Sequence, residues 1–150
     1  MTMTDVPNFA GILDMPMEAI KAPGVLPTGT YRFLVDGEPK HEKAGQNNID
    51  CYDFNLKPLE VVEGVDQDKL AEVLNGAPLS EKRIKYRLFV TQDSAYRLKR
   101  FLVNDLGIEP STLRRMVPDA ENKQVYAKLD HKYSKDGLTT YVNVVSTARV

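Results

Sequence analysis

Residues 84–102, IKYRLFVTQDSAYRLKRFL, decide how the rest of the chain is read. In the first part Ile84, Tyr86, Leu88 and Val90 alternate with Lys85, Arg87, Phe89 and Thr91, the period of a half-buried β-strand. At Gln92-Asp93-Ser94 the period changes. Asp93 or Ser94 is placed to cap a helix running to about Asp105 and stopping at Gly107, with Pro110 beyond. Ala95, Leu98, Phe101, Leu102 and Leu106 share one face of that helix. A strand therefore feeds directly into an amphipathic helix. The other face of this unit is cationic: residues 81–101 hold seven basic side chains (Lys82, Arg83, Lys85, Arg87, Arg97, Lys99, Arg100) against two acidic ones, Glu81 and Asp93. Phe89 shares the polar side of the strand with Lys85 and Arg87, and Tyr96, Arg97 and Arg100 lie off the helix's core stripe.

Working outward, strands are expected on both sides of this pair. Pro27-Thr28-Gly29 opens the first, with Tyr31, Phe33 and Val35 in one row and Arg32 and Leu34 in the other. Residues 36–48, DGEPKHEKAGQNN, are polar and glycine-bearing and read as a loop with Lys40, His41 and Lys43 near its tip. In the second strand Tyr52, Phe54 and Leu56 alternate with Cys51, Asp53, Asn55 and Lys57, and Pro58 predicts that pairing ends nearby. Residues 65–74, VDQDKLAEVL, have helical spacing and end at Asn75-Gly76. Residues 109–116 hold a helical turn with Ser111 or Thr112 as cap. Val125, Ala127 and Leu129 alternate with Tyr126, Lys128 and Asp130, and Asp136-Gly137 marks a hairpin turn into a last strand at 138–145. Tyr31, Phe33, Tyr52, Phe54 and Tyr86 are assigned to the core. His41 and His131 are expected at the surface.

A chain of 150 residues is one domain by length, and 42% hydrophobic with 27% charged residues is ordinary for a globular protein. No apolar run approaches a membrane span, and the first residues lack a signal-peptide pattern, so a cytoplasmic, non-membrane protein is expected. Cys51 is alone, which leaves no internal disulfide, and two distant histidines supply no zinc set, so neither metal nor cofactor is expected. Residues 1–27 read as an N-terminal arm, suited equally to oligomerisation or to a partner, and 28–150 as the folded domain. The net charge of −1 hides local asymmetry. Residues 60–72 hold five acids and one lysine; residues 123–135 hold four lysines, His131 and one acid, Asp130. A phosphate chain responds to such a stripe rather than to the sum.

The element order β-β-(α)-β-α-β-β predicts a mainly β fold with α: a five-stranded Greek-key OB-fold barrel, a helix between strands three and four, and an extra short helix between strands two and three. Such barrels bind oligonucleotides across strands two and three, between the first-to-second and fourth-to-fifth strand loops. Lys85, Arg87 and Phe89 fall on the third strand, Lys40 and Lys43 in the first loop, Lys132, Tyr133 and Lys135 in the last. The nucleic-acid-binding set expected here is Arg32, Lys40, Lys43, Lys57, Lys85, Arg87, Lys128, Lys132 and Lys135 for phosphates, with Phe89, Tyr126, Tyr133 and Tyr141 for base stacking.

The stretches LPTGTYRFLVDGEPKHEKAGQNNIDCYDFNLKPLEV, SAYRLKRFLVNDLGI and VYAKLDHKYSKDGLTTYVNVV resemble the OB-fold single-stranded-DNA-binding proteins that phages encode beside replication and recombination genes. The resemblance covers most of 25–147 and rests on spacing. It implies sequence-tolerant single-stranded DNA binding in the host cytoplasm, with a second copy and replication or recombination proteins as further partners. Bacterial relatives often end in an acidic tail that recruits enzymes; this sequence reads STARV at its end, so recruitment of that kind is not expected. Two other classes are weighed. Pro118-Asp119 and Glu121-Asn122-Lys123 superficially match a nuclease pattern, but two residues of separation cannot bring carboxylates from separate strands to one metal. No glycine-rich phosphate loop or nucleophile elbow is present, so an enzyme is not expected. A structural or adaptor barrel that binds a protein would use the arm and the acidic helix at 65–74.

Overall fold

The computed structural model describes residues 24–150, so the expectation of an N-terminal arm falls, for residues 1–23, outside the described residues. The architecture is mainly β with some helices: a six-stranded antiparallel sheet that is not closed. Strand β1 (Gly29–Val35) and strand β2 (Lys40–Ala44) both lie along one edge of the long strand β3 (Ile49–Glu63). Helix α1 (Gln67–Leu74) follows, then β4 (Ile84–Phe89) on the opposite edge of β3. Helix α2 (Ala95–Arg100) runs into a wider π-turn, Phe101–Asp105, and α3 (Leu113–Met116) is a single turn. Strand β5 (Gln124–Tyr133) pairs with β1, and β6 (Thr140–Arg149) pairs with β5.

Two expectations from the sequence need correction. Residues 40–44 are a strand rather than part of a loop, and the turn is confined to 45–48. KHEKA has no apolar row because β2, on the free edge of β3, meets water on both faces, so backbone pairing alone makes it a strand. Pro58 does not end the second strand, which continues to Glu63. It lies beside a register shift at which Leu59 has no partner on β1, a place where a sheet tolerates the missing N–H. Six strand segments therefore stand where five were expected, and β4 and β6 remain unpaired with each other.

One row each of β1, β3 and β5, together with α2 and the π-turn that follows it, makes a single core. Tyr31, Phe33, Val35, Phe54, Leu56, Leu98, Phe101, Leu102, Val125, Ala127 and Leu129 are buried together. Leu26, just before the first strand, is buried in the same cluster. Tyr52 and Tyr86, expected in the core, are half-buried at its margin. The Tyr31 hydroxyl donates to the Pro27 carbonyl at 2.8 Å, and burial pushes its pKa up to about 12. Asp66 caps α1 by accepting from the N–H groups of Asp68 and Lys69, as its position before a helical run suggests. The helix end at Gly107 was also legible. Its φ of +72° carries the chain out of the π-turn, and the Ile108 N–H reaches back to the Leu102 carbonyl at 3.0 Å.

Candidate nucleic-acid interface

The unpaired edges of β4 and β6 border an open slot of about 530 Å³. Residues 85–88 form one wall, residues 142–147 the other, and α2 with its π-turn contributes Arg97, Arg100, Phe101 and Asp105. The slot follows the gap across which further hydrogen bonds would have closed the sheet. Its floor is aromatic. Phe101, 1% exposed, meets Phe54 and Tyr86 edge-on at 5.0 and 5.1 Å between ring centres.

Four cations line this slot: Lys85 and Arg87 from β4, Arg97 and Arg100 from α2. Alternation along β4 turns Tyr86 and Leu88 to the core and leaves Lys85 and Arg87 outside. Neither Arg97 nor Arg100 is ion-paired with a described residue. Asp105 is buried and accepts the Thr147 hydroxyl, which ties the π-turn to β6. Tyr86 has its pKa raised by burial, with the Asp105 charge adding to the effect. The second carboxylate nearby is Asp53, 7% exposed, on the outward row of β3. It accepts from Arg87 Nε at 2.7 Å and Nη2 at 2.9 Å, and Lys85 Nζ stands 3.8 Å away. The Arg87 hydrogen bonds hold the Asp53 carboxyl below its usual range, overcoming the opposing effect of burial. The same pair raises the Arg87 pKa. Cys51, next in that outward row, is fully buried, and burial pushes its thiol up.

The residues singled out in the sequence divide into three groups. Lys85 and Arg87 line the slot, Phe89 is half-buried further along the same face of β4, and Lys40 lies on that face opposite Asp53. Arg32, Lys57, Tyr126, Lys128, Lys132 and Tyr141 occupy the outer face of β1, β3, β5 and β6, with Lys132 directly opposite Tyr141. Arg32 is held there by Glu60 at 2.9 Å and by the Gln124 side chain. The third group belongs to neither surface. Lys43 lies 3.9 Å from Asp50, which also meets His41 at 3.0 Å. Tyr133 is 68% exposed but points to the opposite face from Tyr141, and Lys135 sits in the turn beyond it. His131 is half-buried, its Nε2 2.7 Å from the Leu26 carbonyl.

Arg97 and Arg100 are the slot cations absent from the set expected from the sequence. Their signal was present as two cations three apart on the helix, off the core stripe. What the sequence lacks is any sign that β6 lies across from them. Among the described residues no group of three or more His, Cys, Asp or Glu is placed to hold a metal ion, and no helix is long and apolar enough to cross a membrane. No family model matches this chain, and no curated protein does.

Proposed function

We propose that this chain binds single-stranded DNA with little sequence preference, along the slot between β4 and β6, as a non-enzymatic component of DNA replication or recombination. The observation that carries the proposal is the convergence of Lys85, Arg87, Arg97 and Arg100 on a gap bordered by two unpaired strand edges. Cations there neutralise phosphates and release counterions, a gain that does not depend on base sequence. Unpaired bases need flat apolar surface. Tyr141, 56% exposed on the outer face of β6 and one residue before Val142 of the slot wall, offers it at the slot's rim, worth roughly 1–3 kcal/mol per stacked base. A duplex keeps its base faces stacked and cannot use that surface.

The strand connections support an OB-like reading of the fold. β1 pairs with both β3 and β5, β3 with β4, β5 with β6, and the only long helical segment between β4 and β5 packs under the open side. On this reading β1 and β2 together are the bent first strand of a barrel left open between its third and fifth strands.

A second reading has one observation in its favour. On the other flank of α2, Tyr96, Val103, Leu113 and Met116 line an apolar hollow of about 280 Å³, and Tyr96 is 69% exposed. That surface suits a protein-binding adaptor. The two readings separate in a titration of the chain with a labelled single strand and with its duplex. Single-strand binding that is tighter than duplex binding and weakens steeply with salt supports the first. No binding of either oligonucleotide at low salt removes it and leaves the adaptor.

A further inference from the structure

We infer that Asp53, a buried acid beneath a surface that would attract phosphate, is a positioning residue: it fixes the Arg87 guanidinium side-on so that its remaining N–H groups face a phosphate of the bound strand. The inference rests on the single-strand reading above.

A carboxylate next to a phosphate track is on its face unfavourable, because like charges repel. Its placement removes the conflict. Asp53 lies on β3 between β2 and β4, with Lys40 and Arg87 as its cross-strand neighbours. Only 7% of its surface is open, and its two oxygens take the Nε and Nη2 hydrogens of Arg87 at 2.7 and 2.9 Å. Lys85 Nζ approaches from the same side at 3.8 Å. A ligand phosphate therefore meets cations before it meets the acid.

The geometry leaves Arg87 with work to do. A guanidinium carries five N–H donors, and the side-on pair consumes two of them. Three remain, both hydrogens of Nη1 and the second of Nη2, on a side chain that is 38% exposed and lines the slot. Because Asp53 already holds the stem and plane in place, little rotamer freedom is left to lose when a phosphate arrives. Lysine cannot reproduce this, since its point charge has no second edge to present.

The test is fluorescence anisotropy with fluorescein-labelled oligothymidine, using the full chain and the variants Asp53→Asn and Arg87→Lys, each checked for a cooperative thermal transition. Asp53→Asn removes a negative charge from the site, so charge alone requires tighter binding. Positioning requires the opposite sign: weaker binding by roughly tenfold, the low end for a hydrogen bond to a charged group. It also requires a salt slope shallower by about 0.7, the single-strand value for one phosphate contact. Arg87→Lys keeps the charge and is expected to show the same two changes. Unchanged or tighter binding by Asp53→Asn with an unchanged slope overturns the inference, as does wild-type behaviour of Arg87→Lys. Should Asp53→Asn fail to fold, Arg87→Lys decides alone. If Arg97→Glu/Arg100→Glu weakens binding about a hundredfold while these two variants match the parent, the positioning role fails and the single-strand reading stands. If the parent chain binds no oligothymidine, both fail together.

Discussion

The double variant Arg97→Glu/Arg100→Glu is expected to lose single-strand binding by about two orders of magnitude at moderate salt while its thermal stability barely moves. Both side chains are exposed on the flank of α2 that lines the slot, and neither is paired with a described residue. Their replacement thus takes nothing from the core, and surface changes of this kind stay within about 0.5 kcal/mol. Binding is different. Losing two phosphate contacts makes the slope of log K against log salt shallower by roughly 1.4. Two new carboxylates facing the phosphate chain add a repulsion of several kcal/mol at close range. Anisotropy at a series of salt concentrations reads both quantities. The control is Arg32→Glu, on the outer face of β1 and already paired with Glu60, which is expected to cost far less. If the control loses as much affinity as the double variant, the strand does not run through the slot.

The largest effect on stability is expected from Phe101→Ala. Phe101 is 1% exposed and sits where α2 gives way to the π-turn, with its ring edge-on to Phe54 of β3 and Tyr86 of β4. It is the side chain that fastens the helical segment to the sheet under the slot. Truncation leaves a ring-sized void between two other rings that are fixed by strand pairing, so little collapse can fill it. The expected cost is about 3–5 kcal/mol, which lowers the unfolding midpoint by roughly 10–20 °C. Phe101→Leu keeps most of the volume and is expected to cost about 1 kcal/mol. Differential scanning calorimetry on the three chains measures this. A shift of only two or three degrees for Phe101→Ala contradicts the packing described.

The parts of the fold that could be read from the residues are those whose two faces see different surroundings. β4 alternates because Leu88 and Tyr86 face the core and Lys85 and Arg87 do not. The end of the helical segment made by α2 and its π-turn was legible because Gly107 and the Leu98–Phe101–Leu102–Leu106 stripe mark it independently. β2 had no such contrast: KHEKA meets water on both faces, and its pairing with residues 49–53 is made by backbone groups that every residue carries. The second strand ran past Pro58 because a register shift accommodates the missing N–H, and no local pattern announces a shift.

The candidate site was half visible for the same reason. One strand's period exposes Lys85 and Arg87. The meeting of the π-turn with β6 depends on contacts some forty residues apart, of which the Thr147–Asp105 hydrogen bond is the clearest. Asp53 read as one more outward polar residue, since nothing in CYDFN indicates that its oxygens are covered by an arginine 34 residues later. Arg32, which alternation placed on the outward row, and Lys43, which a loop-tip position suggested, are ion-paired away from the slot, with Glu60 and Asp50.

The most direct test of the central claim is a map of backbone amide chemical shifts in the isotopically labelled chain as a short oligothymidine is added. The perturbed amides are expected to gather at residues 85–88, 97–101 and 142–147, the two walls and the helical floor of the slot, while α1 and the β2–β3 turn stay still. Shifts gathered instead around the hollow beside Tyr96 and Met116, or around Tyr133 and Thr139, with residues 85–88 and 142–147 unmoved, would contradict it.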